Sequence, residues 1–178
     1  MKRPHAAFAL LLPLLLLVAG VSAPHAAPAA TPAWRAWDEG LKEAARLRRP
    51  VLVDVYTDWC GWCKRMDRDV YARADVQDYL AKRFVVVKLN AESGARVRWE
   101  GREMTSRALA SRLGVTGYPN TTFLDAAGRK LGSVPGYVPA AQFLQVLRSV
   151  AEDQAGRAGR AGRTGAARRR TGSGTAWV

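Results

Sequence analysis

Apolar positions along the chain follow two rhythms. Between residues 34 and 48, Trp34, Trp37, Leu41, Ala44 and Ala45 recur at the three-and-four spacing of a helix with one buried face, and Pro50 ends it. The rhythm then changes. Val51-Leu52-Val53-Asp54-Val55-Tyr56 is a short, β-branched, mostly apolar run, the pattern of a central strand buried on both faces. A helix is predicted from about Cys60 to Val70, because Cys63, Met66 and Val70 fall on one side of it. A further turn or two of helix follows over residues 75–81. Residues 84–89, Phe-Val-Val-Val-Lys-Leu, read as a second buried strand. Strand, helix, strand predicts a parallel pair joined by a right-handed crossover.

Residues 90–104 show neither rhythm. They carry Gly94, Gly101 and several charges, so a long loop is expected there, with Trp99 packed over the end of the sheet. Helical spacing returns over 105–113, followed by Gly114-Val115-Thr116-Gly117-Tyr118-Pro119. Residues 121–124 read as a strand, 125–129 as a tight turn with Gly128 where positive φ is needed, and 130–134 as the antiparallel return strand. A last amphipathic helix, 139–151, turns Phe143, Val146, Leu147 and Val150 inward. These elements form one α/β domain, a central mixed sheet with helices on both faces.

Both ends depart from this pattern. Lys2 and Arg3, an apolar stretch from residue 6 to 21 broken by Pro13, and an Ala-rich exit with Ala27-Pro28-Ala29 predict a signal peptide over residues 1–29. The stretch is shorter than the ~20 residues that cross a bilayer. The expected location is therefore periplasmic or otherwise extracytoplasmic. The domain is assigned to residues 32–152. Beyond it, 153–178 is rich in Gly, Ala and Arg, cannot bury apolar surface, and reads as a basic, disordered, solvated tail, with adhesion to anionic membrane or polymer surfaces as the alternative. The net charge of +13 draws on Lys2, Arg3 and six arginines of that tail (157, 160, 163, 168, 169 and 170), so the domain itself carries an ordinary excess. No nucleic-acid partner is called for, and the domain is read as a monomer.

The chain has two cysteines, Cys60 and Cys63. A bridge between neighbours so close in sequence constrains the unfolded chain little, so its value is chemical rather than structural. Export would place the pair where disulfides persist. Cys60 opens a helix, where unpaired N–H groups and the helix dipole favour a thiolate, and is expected to be the exposed nucleophile. Cys63, a turn deeper, is expected to resolve the mixed disulfide. Other uses of the pair lack ligands or partners. Zinc wants about four ligands; His5 and His25, the chain's two histidines, lie in or beside the signal segment. Covalent haem attachment wants His after the second cysteine, where Lys64 stands, and a Cys/His hydrolase lacks its base. No metal or cofactor is expected. Redox chemistry remains, with an inert pair as the alternative.

The segment Val51 through Trp59-Cys60-Gly61-Trp62-Cys63-Lys64 resembles the active-site segment of thioredoxins. Residues 84–90 resemble their next strand, 114–119 their proline loop and 136–147 their final helix. The resemblance implies a thioredoxin fold and a thiol–disulfide oxidoreductase, a reductase or exchanger of protein disulfides that a membrane-embedded dithiol donor recharges. The alternatives are an oxidase or isomerase, or a non-catalytic module presenting Trp59, Trp62 and Tyr118 to a partner. It also implies that Asp54 is the family's buried acid, with a raised pKa, taking the proton from Cys63 through water. Trp59 would offer substrate a flat apolar surface. Pro119 would be the cis-proline facing the cysteines, with the backbone of Tyr118 pairing an extended substrate segment. Trp62 departs from the family, standing where thioredoxins have proline and isomerases histidine.

Overall fold

Strand β1 (Val51–Tyr56) forms the spine of the computed structural model, which describes residues 32–171, with side chains through residue 160. The expected signal peptide lies outside the described residues. β2 (Val85–Asn90) pairs with β1 in parallel, setting Val51 against Val85 and Asp54 against Lys88. On the other side β5 (Asn120–Leu124) runs antiparallel to β1, and β6 (Lys130–Pro135) antiparallel to β5, giving the order β2-β1-β5-β6.

Strict alternation along β1 sends its side chains to two cores. Val51, Val53 and Val55 join Val85, Val87 and Leu89 on one face, under Trp37 and Ala44 of α1 (Trp37–Leu47) and Leu109 of α4 (Ser106–Arg112). α1 approaches closely at Gly40, where a Cβ would run into the side chain of Val87. Leu52, Val86 and Phe123 face the other way. There they meet Met66 of α2 (Gly61–Met66), Leu80 of α3 (Ala74–Arg83), and Phe143 and Leu147 of α5 (Ala140–Thr171). α2 continues as a π-helical turn, Asp67–Tyr71, whose Val70 and Tyr71 are also buried on this face. The expected mixed sheet with helices on both faces is thus observed.

Two expectations differ from the structure. The loop assigned to residues 90–104 contains a hairpin of β3 (Arg96–Trp99) and β4 (Arg102–Thr105). Its two-residue turn, Glu100 and Gly101, has positive φ at both positions, which matches the twist of the paired strands. Arg96, Val97, Arg98 and Trp99 alternate exposed and buried, but four residues are too few for the rhythm to stand out in sequence. Trp99 does pack: it meets Trp37 edge-on and donates its indole N–H to the Gly128 carbonyl at 2.8 Å. The second difference is the tail. Instead of ending at about residue 151 and giving way to a disordered tail, α5 continues as helical backbone to Thr171. Alanine and arginine favour this continuation while Gly156, Gly159, Gly162 and Gly165 oppose it, so the extension rests on propagation from a helix already nucleated on the core.

Candidate active site

The end of β1 delivers the cysteines. After Tyr56 the chain turns, with the Cys60 N–H bonded to the Thr57 carbonyl, and Cys60 caps α2. Cys60 and Cys63 are joined by a disulfide with their Cα atoms 5.3 Å apart. Cys60 Sγ accepts the Cys63 N–H at 3.0 Å, so the first sulfur sits on the unpaired amides that open a helix. In this state the expected exposure of Cys60 is not found. Each cysteine is only 4% exposed, because the bridge draws Cys60 Sγ inward against the first turn of α2. The exposed groups are their neighbours, Trp59 at 67% and Trp62 at 55%.

Beneath α2, Asp54 lies on the β1 face it shares with Leu52 and is buried. The sequence suggested no partner for it, but the parallel register supplies one. Lys88, directly across on β2, places Nζ 3.1 Å from Asp54 Oδ2. The same ammonium is held by Asp67 at 2.6 and 2.8 Å and lies over the rings of Trp34 and Tyr56. Asp54 Oδ1 is buried with no hydrogen bond among the described residues. Loss of hydration pushes the Asp54 pKa up, Lys88 pulls it back, and the result is about 6. For Lys88, burial works against the charge but Asp54 and Asp67 outweigh it, so its pKa rises. Asp54 makes no hydrogen bond to either cysteine among the described residues.

The loop after α4 closes the other side. The Tyr118–Pro119 bond is cis, as expected, and Pro119 is buried at the start of β5. The ring of Tyr118 meets Trp59 edge-on at 6.1 Å. Trp59 is held further by its indole N–H, which donates to Glu92 at 3.0 Å.

Residues 37–151 match the thioredoxin-like domain family over most of the chain. The chain belongs to the thioredoxin-like family. It is 30% identical to a thioredoxin from Thermus thermophilus, with a TM-score of 0.56 over 68% of this chain and 88% of that structure. Among curated proteins it is 38% identical over 112 residues to the thiol:disulfide interchange protein DsbD of Ralstonia nicotianae, and 31% over 135 residues to the chloroplastic thioredoxin-like protein HCF164 of Oryza sativa subsp. japonica. Those matches take in 62% and 76% of this chain but 17% and 44% of the relatives' own lengths. The fold is the thioredoxin fold, and the cysteine pair is the disulfide-forming pair of a thiol–disulfide redox family.

Within this thioredoxin-like domain the expected site residues divide into separate groups. Trp59 and Tyr118 form one aromatic pair, and Trp62 turns away from it to Tyr137 at 5.6 Å. Arg65, which reads in sequence as a solvated helix residue, lies over both Trp62 and Tyr137 while paired with Asp69. Lys88, Asp67, Glu92 and Tyr137 were missed in the sequence. Only Lys88 left a signal there, as the single charge in the apolar run of β2. Recognising it required the register that sets it beside Asp54.

Proposed function

We propose that this domain is an extracytoplasmic thiol–disulfide oxidoreductase, a reductase or exchanger of protein disulfides working through Cys60 and Cys63. The observation that carries the reading is the Cys60–Cys63 bridge at the start of α2, with Cys60 Sγ on the helix amides. From the reduced dithiol, Cys60 thiolate attacks a substrate disulfide, forming a mixed disulfide and expelling one substrate thiolate. Cys63 loses its proton and attacks Cys60 Sγ, the mixed disulfide breaks, and the second substrate thiol leaves. Two electrons have passed to the substrate. The protein is left in the bridged state seen here and needs a dithiol donor to recharge it, which we assign to a membrane-embedded partner.

We assign Asp54 the role of accepting the Cys63 proton through water. Its pKa near 6 makes it a carboxylate at neutral pH, yet a better proton acceptor than an exposed acid. Trp59 and Tyr118 on one flank, and Trp62 and Tyr137 on the other, offer apolar surface to the segment around a substrate disulfide, with the Tyr118 backbone available for strand-like pairing. An export signal over residues 1–29 would bring the domain to an oxidising compartment.

Dithiothreitol-driven insulin reduction tests the reading. Wild type should catalyse it, and Cys60→Ser should reduce the rate to the uncatalysed level. Wild type without activity would favour the non-catalytic binding module instead.

A further inference from the structure

The topology separates two ends of the sheet. The cysteines follow the C-terminal end of β1, whereas Arg48 and Arg49 precede its N-terminal end. Arg83 sits there too, just before the parallel strand β2, and so does Arg129, beyond the end of antiparallel β5. A six-residue strand at about 3.3 Å per residue places these groups roughly 20 Å from the dithiol. They line one cleft of about 480 Å³ together with Lys82 and Arg157.

Charge in this cleft is unbalanced. Arg129 is paired with Asp125 and Arg157 with Asp153, and Arg49 donates to the Ala81 carbonyl. The side chains of Arg48, Lys82 and Arg83 are exposed and have no hydrogen-bond or ion-pair partner among the described residues. Between the cations the wall is made of small apolar side chains such as Ala127, Ala151 and Ala158, with no aromatic ring. α5 leaves from this end as well. Its backbone carries the arginine-rich stretch of sequence past the cleft to Thr171, away from the cysteines.

We propose that this basic end docks on the anionic phospholipid headgroups of a membrane, holding the Cys60–Cys63 end outward. Guanidinium and ammonium groups spread around a shallow opening suit many phosphates in one plane, each of which an arginine can grip through two N–H donors. Single-stranded nucleic acid is disfavoured because its bases need aromatic platforms, and this cleft has none. Among the described residues no helix is long and apolar enough to cross a membrane. This docking goes beyond the proposed redox function and is measured without a redox substrate.

The test is co-sedimentation of the full chain with phosphatidylglycerol-containing vesicles, against pure phosphatidylcholine vesicles, at low and high salt. Taking the phosphatidylglycerol-dependent increment removes any contribution of the apolar N-terminal stretch. Wild type should show an increment that falls with salt. Each cation near such a surface contributes roughly a fivefold change in affinity, so losing three of them in Arg48→Glu with Lys82→Glu and Arg83→Glu should weaken it by at least about a hundredfold. The corresponding glutamine triple variant, a gentler change, should weaken it in the same direction. Far-ultraviolet circular dichroism and the urea midpoint serve as folding controls for both. An absent increment, or one that either folded variant retains in full, overturns the proposal; retention would leave the tail arginines as the binding element. Tighter binding to duplex DNA than to the vesicles at equal salt also overturns it.

Discussion

At the residue scale the chemistry turns on how Asp54 is charged. Its pKa of about 6 in the fold lies above the 3.8 of the unfolded chain, so between those values the native state holds a proton that the unfolded state has released. Stability from this group is therefore complete below about pH 4 and is lost as pH rises through 6. Asp54→Asn should raise stability at pH 7 by up to about 3 kcal/mol and leave it nearly unchanged at pH 4. Lys88 keeps Asp67 as its partner in the variant, which limits the loss. The same substitution should remove a pH dependence near 6 from the resolving step, read by stopped-flow. Equal denaturation midpoints for the two proteins at pH 7 would contradict this reading of Asp54. The sequence pointed to Asp54 through the resemblance of its segment to the thioredoxin active-site segment. It could not show Lys88 as the partner, since that pairing depends on β1–β2 register, nor Asp67, which meets Lys88 from the end of α2, 21 residues away in sequence.

At the element scale, long runs were legible and short ones were not. β1, β2 and the inward face of α5 each repeat one pattern for six residues or more, so their assignment survives errors at the ends. The β3–β4 hairpin has four-residue strands and a Glu-Gly turn, without the Asn-Gly or Asp-Gly that marks such turns most strongly. Its burial comes from tertiary partners, Trp37 and the Gly128 carbonyl, that no local pattern reveals. The packing of α1 on β2 is equally silent in sequence. Gly40 sits against Val87 with no space for a Cβ, so Gly40→Ala should destabilise the domain by about 1–3 kcal/mol despite improving helix propensity. Urea denaturation checks it; a variant as stable as wild type would show that α1 can shift on the sheet at no cost.

For the whole molecule, strand direction organises the chemistry. Parallel pairing of β1 with β2 puts both of their C-terminal ends on the dithiol side, and antiparallel β5 begins there with cis Pro119. The opposite end collects Arg48, Arg49, Lys82 and Arg83. In sequence these cations are scattered and the net charge seemed to belong to the termini. Only the folded topology gathers them beside α5. The proposed difference between the two cysteines needs less of the fold, because capping position and helical spacing already distinguish them.

That distinction is the central claim, and trapping tests it most directly. Cys63→Ala and Cys60→Ala, each reduced and then offered an unfolded disulfide-containing protein, are quenched with acid and examined by mass spectrometry. Cys63→Ala should accumulate a mixed disulfide on Cys60, and Cys60→Ala little or none. Equal adducts on both variants, or none on Cys63→Ala, would contradict the assignment of Cys60 as the attacking sulfur.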